Sequence, residues 1–289
     1  MIYITKLNMI DIQITAKCNR KCRYCFGPQN DNIFLSYEII KEIIDNMIIS
    51  GIKNISITGG EPTIHPDIER ILKYAKENEL NISVSTNTDY IKEKTYLLKY
   101  IDILGVPIDS YNNEEHDIIR GEGSLYNVIN TLEYVEDDCL VDVRIGTVIN
   151  HKNKYELSKI AKILKRYNCV KVWRIYDELK YGNKRSSQET LSKYKKFNLE
   201  LKKCRHILLD KEIAYVDRNN RNLGYFIIEP DGNVFMPIVF TNIDIKKYIG
   251  NIYKDSFEKL IKIWENTCNI NNHKNMIENI FKGMKNNEG

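Results

Sequence analysis

The sequence predicts an α/β fold built on a parallel sheet, and three observations carry that prediction. Apolar residues switch repeatedly between a period of two and a period of about 3.6, as strands and helices do in alternation. Six strand–helix units follow in series as far as Tyr176. That order calls for right-handed crossovers, in a sheet either open or rolled into a barrel. Three cysteines and a glycine pair fall just after the first two strands, at the C-terminal sheet edge where such folds place their chemistry.

Ile10, Ile12 and Ile14 alternate with polar neighbours as strand one. Ser36 caps a helix whose stripe is Ile39, Ile40, Ile43, Ile44, Met47 and Ile48, and Gly51 stops it. Ile55 and Ile57 form strand two, running into Thr58-Gly59-Gly60. Pro66 opens a helix carrying Ile68, Ile71, Leu72 and Ala75. Ile82 and Val84 mark strand three, 90–99 a helix, 103–108 strand four and 124–135 another helix. Strand five covers 141–148; Leu157, Ile160, Ala161 and Leu164 mark a helix, and 170–176 is strand six. Beyond it, 181–188 read as a polar loop and 189–203 as a helix. A hairpin turn at 229–233 joins 225–228 to 234–236, and Phe257, Leu260, Ile261 and Trp264 form a late helical stripe. From Asn269 the chain is rich in Asn and Lys, which reads as frayed helix or disorder. The expected division is a barrel over 1–180 and a small C-terminal α+β extension over 181–289.

At 289 residues and 43% hydrophobic the chain is long enough for a full core. The net charge of +4 is spread along the sequence, which argues against a nucleic-acid partner. The first fifteen residues lack the basic and apolar regions of a signal peptide, and no apolar run approaches membrane-spanning length. Both point to a cytoplasmic setting without a membrane partner. Seven cysteines, three of them between positions 18 and 25, favour a metal or catalytic role over a disulfide frame.

Cys18, Cys22 and Cys25 suit a [4Fe–4S] cluster, three thiolates holding three irons and leaving the fourth open. Lys17, Arg20, Lys21 and Arg23 stand among them, a positive field expected to favour thiolates. Zinc is the competing reading; it needs a fourth ligand, for which His65 is a candidate. Gly59-Gly60-Glu61-Pro62 follows strand two, with glycines that permit close backbone approach and a carboxylate able to meet an ammonium group.

The run Cys-Asn-Arg-Lys-Cys-Arg-Tyr-Cys-Phe from Cys18 resembles the signature of the radical S-adenosylmethionine (SAM) superfamily, with Tyr24 as the aromatic before the last cysteine. The resemblance covers about residues 10–180 and is nearest the viperin and molybdenum-cofactor-biosynthesis branch, which implies a partial (βα)6 TIM barrel. It implies a cluster whose open iron chelates SAM, reductive cleavage to a 5′-deoxyadenosyl radical, and hydrogen abstraction from a substrate. It also implies cofactor-binding roles for Tyr24, Gly59, Gly60, Glu61, Pro62, Ser85, Asn87, Asp109, Ser110, Arg120, Thr147 and Tyr176. An electron donor such as flavodoxin or ferredoxin is implied as partner.

Substrate readings diverge. Arg144 and Arg174, if inward-facing, suit a phosphate-bearing, nucleotide-like small molecule; otherwise they face solvent at strand edges. Against a close viperin likeness stand Gly27-Pro28-Gln29-Asn30 and Gly146. The C-terminal region resembles the auxiliary-cluster domain of peptide-modifying relatives, with Pro237 where a cysteine is usual. That points to a peptide substrate and, since Cys139, Cys169, Cys204 and Cys268 are isolated, to one cluster. His116, His151 and His206 read as surface residues. A non-catalytic iron–sulfur or zinc protein is the reading from another class.

Overall fold

Branched aliphatic residues bury the outward side of each strand against one stripe of each helix. The computed structural model describes residues 5–28, 33–138, 141–150, 153–178, 195–240 and 243–281. Strands β1 (Met9–Thr15), β2 (Asn54–Gly59), β3 (Asn81–Ser85), β4 (Ile103–Pro107), β5 (Asp142–Ile149) and β6 (Val170–Asp177) pair in parallel, in chain order. Between them run α1 (Tyr37–Ile49), α2 (Ile68–Glu77), 3-10 turns over Lys92–Tyr100, α3 (Asn113–Arg120) with α4 (Ser124–Asp138), and α5 (Leu157–Leu164). Ser36 caps α1 by accepting from the Ile39 N–H, and Ile40, Ile43, Ile44 and Met47 are its buried stripe; Ile48 lies outside it, 40% exposed.

The C-terminal residues continue the same sheet. After α6 (Lys195–Ile207), β7 (Glu212–Val216) pairs in parallel with β6. At the other edge β8 (Ile227–Ile228) pairs in parallel with β1, followed antiparallel by β9 (Asn233–Val239) and β10 (Asp244–Asn251). Two helices close the described chain, α7 (Phe257–Thr267) and α8 (Ile270–Phe281). The ten-stranded order is β10-β9-β8-β1-β2-β3-β4-β5-β6-β7. Side chains from β1, β2, β5, β6, β8 and β9 meet in one cavity, so the sheet curls around it as a partial barrel.

One expectation changes, three elements come in addition, and some readings fall outside the described residues. The Asn- and Lys-rich tail is an ordered helix as far as Phe281, because Met276 and Ile280 pack on Met9. Strands β7 and β10 and helix α3 were not anticipated. The expected polar loop 181–188, Cys139 and His151 lie outside the described residues. Among those described, no helix is long and apolar enough to cross a membrane.

Candidate active site

The loop after β1 carries the three cysteines, and all three residues line one cavity of about 330 Å³ at the C-terminal strand ends. Arg20 clamps this loop. Its guanidinium makes two 2.6 Å bonds to Asp89 and donates to the carbonyls of Arg120, Gly121 and Glu122 at 3.2, 2.9 and 3.2 Å. Cys18 Sγ accepts from the Arg20 N–H at 3.4 Å and from the Asn87 amide at 3.9 Å. The Cys22 thiol donates to the Arg120 carbonyl at 3.7 Å.

The expected field of four basic residues is not what the thiols meet. Lys17, Lys21 and Arg23 are exposed, and Arg20 is committed to Asp89. Of the cations lining the cavity, Arg120, itself bonded to Asp109 at 2.5 Å, acts most strongly on Cys22, with Arg20 behind it. Burial pushes the Cys18 and Cys22 thiols above their ordinary range. The loop alone therefore does not ionise them; a coordinated metal does so outright.

Gly59 and Gly60 serve the protein's own packing. The N–H groups of Gly60 and Glu61 donate to the Thr15 and Lys17 carbonyls at 2.7 and 2.8 Å, seating the end of β2 against the cysteine loop. A Cβ on Gly60 would lie 2.2 Å from the Lys17 carbonyl oxygen. Glu61 corrects the expectation of a carboxylate free to meet an ammonium group. Fully buried, it accepts from Thr63 N–H, Thr63 Oγ1, Thr86 Oγ1 and Asn87 N–H at 3.0, 2.6, 2.8 and 2.7 Å. It thus ties the β2 loop to the β3 loop and aims Asn87 toward Cys18.

Of the residues expected around a cofactor, Tyr24, Gly59, Gly60, Ser85, Asn87, Arg120 and Tyr176 line the cysteine cavity. The others do not. Pro62 is buried at the start of a 3-10 turn. Asp109 lies behind Arg120 and accepts from the Val148 N–H at 2.7 Å. Ser110 donates to Glu115 and accepts from the Asn112 N–H. Thr147 faces outward, donating to the Ile108 carbonyl and accepting from Trp173 at 2.8 Å. The parity that turns Gly146 and Val148 inward turns Thr147 away. His116 is buried outside the cavity lining, its pKa pushed down to about 4 by burial; His206 is exposed.

The cavity continues inward as a second space of about 280 Å³, sharing Tyr24, Ser85, Arg144, Val148 and Tyr176 with the first. Arg144 and Arg174 line it, 6% and 3% exposed, which removes the solvent-facing alternative. Arg144 donates to Ser83 Oγ and Ser85 Oγ at 3.2 and 3.1 Å, and Arg174 lies over the Tyr176 ring at 4.9 Å. Asp11, Gln13, Ser56, Tyr225 and Ile280 share this wall and were missed. Their signal lay in β1 itself: if Ile10, Ile12 and Ile14 face the helices, Asp11 and Gln13 face inward.

The residues present fit an iron–sulfur cluster better than a single ion. Both ring nitrogens of His65 are engaged, Nε2 with the Leu35 carbonyl at 2.8 Å and Nδ1 with the Asp67 N–H at 3.1 Å, so it is no fourth ligand. Among the described residues no group of three His, Cys, Asp or Glu side chains gathers around one point as a single metal requires. Three cysteines lining one cavity suit ligands to three separate irons.

Fold and site together define an iron–sulfur enzyme on a partial βα barrel. The family model of the radical SAM superfamily matches residues 12–170, more than half of the chain, and the chain belongs to that superfamily. With membership come the [4Fe–4S] cluster and SAM as cofactors. The antilisterial bacteriocin subtilosin biosynthesis protein AlbA of Bacillus subtilis is 26% identical over 285 residues, covering 88% of this chain and 60% of that protein. A probable GTP 3′,8-cyclase of Saccharolobus islandicus is 30% identical over 162 residues, covering 54% of this chain and 53% of that protein. Among solved structures, SuiB of Streptococcus suis bound to S-adenosylmethionine superposes with a TM-score of 0.71 at 16% identity, over 90% of this chain and 65% of that one. The chain therefore spans less than two thirds of the length of these relatives.

Proposed function

We propose that this chain reductively cleaves SAM and abstracts a hydrogen atom from a peptide substrate. The observation that carries the peptide reading is the reach of the likeness to AlbA, 88% of this chain. A match of that extent takes in C-terminal residues, and here Tyr225, Pro237 and Ile280 from that region line the inner cavity. A substrate in the cavity thus meets the C-terminal region as well as the barrel. SuiB, of the same fold, has been solved bound to a precursor peptide, SuiA.

The cluster, when bound, supplies the electron that breaks SAM into methionine and a 5′-deoxyadenosyl radical. This chain's residues do the rest. Asn87 and Arg120 stand beside the cysteines to hold a polar cofactor, Gly59 and Gly60 offer backbone at the rim, and Tyr24 and Tyr176 wall the passage inward. A cytoplasmic location suits the six free cysteines of the described residues, and flavodoxin or ferredoxin suits the electron supply. The nucleotide reading, with its viperin-like leaning, is second: Arg144 and Arg174 do line the cavity, and the cyclase is 30% identical over its match.

The test is anaerobic reconstitution with iron and sulfide, then measurement of 5′-deoxyadenosine with reductant. Release is expected from the wild type and lost in Cys22→Ala; a Cys22→Ala protein that still cleaved SAM would sink the proposal. Incubation with a peptide encoded beside the gene should change that peptide's mass only when SAM is present. Consumption of GTP with no change in peptide would favour the second reading.

A further inference from the structure

The inner cavity holds charges that its own residues leave unbalanced. Arg144 and Arg174 are both buried, and among the described residues neither has a carboxylate at ion-pair distance. Two of the Arg144 nitrogens meet serine hydroxyls, and the Arg174 Nε has no partner. Gly105 makes room for this arrangement, since a Cβ there would lie 2.6 Å from Arg144 Nη2. Buried cations without contacting anions are costly, and an anionic ligand is the usual compensation.

Acceptors face the same space. Asp11 Oδ2 and Gln13 Oε1 are buried without a donor, on residues 9% and 3% exposed. They call for N–H groups. A count of lining charges then limits the ligand: Arg144, Arg174 and Arg221 stand against Asp11 and Asp177, a surplus of one positive charge. A triphosphate carries several negative charges and no N–H on its phosphates. A carboxylate flanked by amide N–H groups matches both the surplus and the acceptors.

We infer that the inner cavity is a recognition pocket for an acidic side chain of a peptide, with Arg144 and Arg174 holding its carboxylate and Asp11 and Gln13 accepting from neighbouring amide N–H groups. Guanidinium forks suit a planar carboxylate. This rests on the peptide reading above and adds which residue the enzyme presents to the cofactor.

The test is binding, which separates it from catalysis. Calorimetry on the reconstituted holoenzyme with SAM uses three probes: N-acetylglutamate N-methylamide, its glutamine counterpart, and tripolyphosphate. The glutamate probe is expected to bind about ten-fold or more tightly than the glutamine probe. Arg174→Gln should abolish that preference, while Arg174→Lys, which keeps the charge, retains part of it; circular dichroism checks that each variant folds. Equal binding of the two amino-acid probes overturns the inference, as does no glutamate-probe binding below about 10 mM. Tripolyphosphate binding tighter than the glutamate probe also overturns it and favours a nucleotide. Should the glutamate probe bind while no peptide is modified, the pocket stands and the proposed reaction fails.

Discussion

Glu61 and Asp11 are both buried carboxylates, and their surroundings give them opposite characters. Glu61 receives four hydrogen bonds and acts as a fixed joint between two loops. Asp11 keeps one oxygen unpartnered, and burial outweighs its Ser56 bond and the nearby Arg144 and Arg174, raising its pKa to about 6. An unfolded Asp titrates near 3.8. Between those values the folded chain holds the extra proton, so stability falls as pH rises through that window and the loss is complete above it. Asp11→Asn should therefore stabilise the metal-free protein by up to about 3 kcal/mol at about pH 7.5 and by little at about pH 4. Urea unfolding at the two pH values measures this; destabilisation at the higher pH would mean that Asp11 is a satisfied anion. At this scale the short spacing of the cysteines was enough to place all three on one cavity. The sequence was read poorly for Asp11 and Thr147, whose roles depend on which way a strand faces. Side-chain parity is two-fold, so one misjudged register sends every residue of a strand to the wrong side.

Helix α8 shows how an element can be hidden by composition. Half of its residues are Asn, Lys or Glu, yet Met276, Ile277, Ile280 and Phe281 form a stripe that packs with Met9 at the start of β1 and with Tyr225. His273 pins it further, with Nδ1 on the Gly224 carbonyl at 2.8 Å and Nε2 accepting from the Asn8 N–H at 3.1 Å. The helix thereby supplies Ile280 to the inner cavity. Ile280→Ala is expected to cost about 2–4 kcal/mol, as deletion of a buried aliphatic does. The urea midpoint should fall with an unchanged slope. A frayed tail would lose less than about 0.5 kcal/mol, and that result would remove α8 from the barrel. Other elements escaped notice for related reasons. In β10, Lys246 and Tyr248 on one face and Lys247 on the other interrupt the apolar alternation, and α3 is too short for a periodic stripe to declare itself. The central βα units were legible because one side of each strand carries aliphatics at regular spacing, as Ile10, Ile12 and Ile14 do in β1.

Across the whole molecule the sheet order follows the chain from β1 to β7, so the parallel body could be anticipated from alternation alone. The return of β8 to the free edge of β1 could not, because two residues of pairing carry too little pattern. His273 is buried on α8, where it meets Gly224 and Asn8 beside β8 and β1, and His116 is buried on α3. Both imidazoles have pKa values pushed down to about 4 by burial, against an ordinary 6.5. The sign is opposite to that of Asp11. Above pH 6.5 the histidines are neutral in both states; below it the unfolded chain takes up protons that the fold refuses until about pH 4. Each histidine thus contributes about 3 kcal/mol that is present above the upper value and lost on acidification. Two histidines against one aspartate leave acid destabilisation dominant among these groups. The metal-free protein should therefore unfold at lower urea at about pH 5 than at about pH 7.5. His273→Asn should lower the midpoint at the higher pH, through the lost bonds, and flatten the dependence between the two. A wild-type protein more stable at the lower pH would show that the histidines are charged in the fold, and that the closure of the barrel by α8 is looser than its buried contacts require.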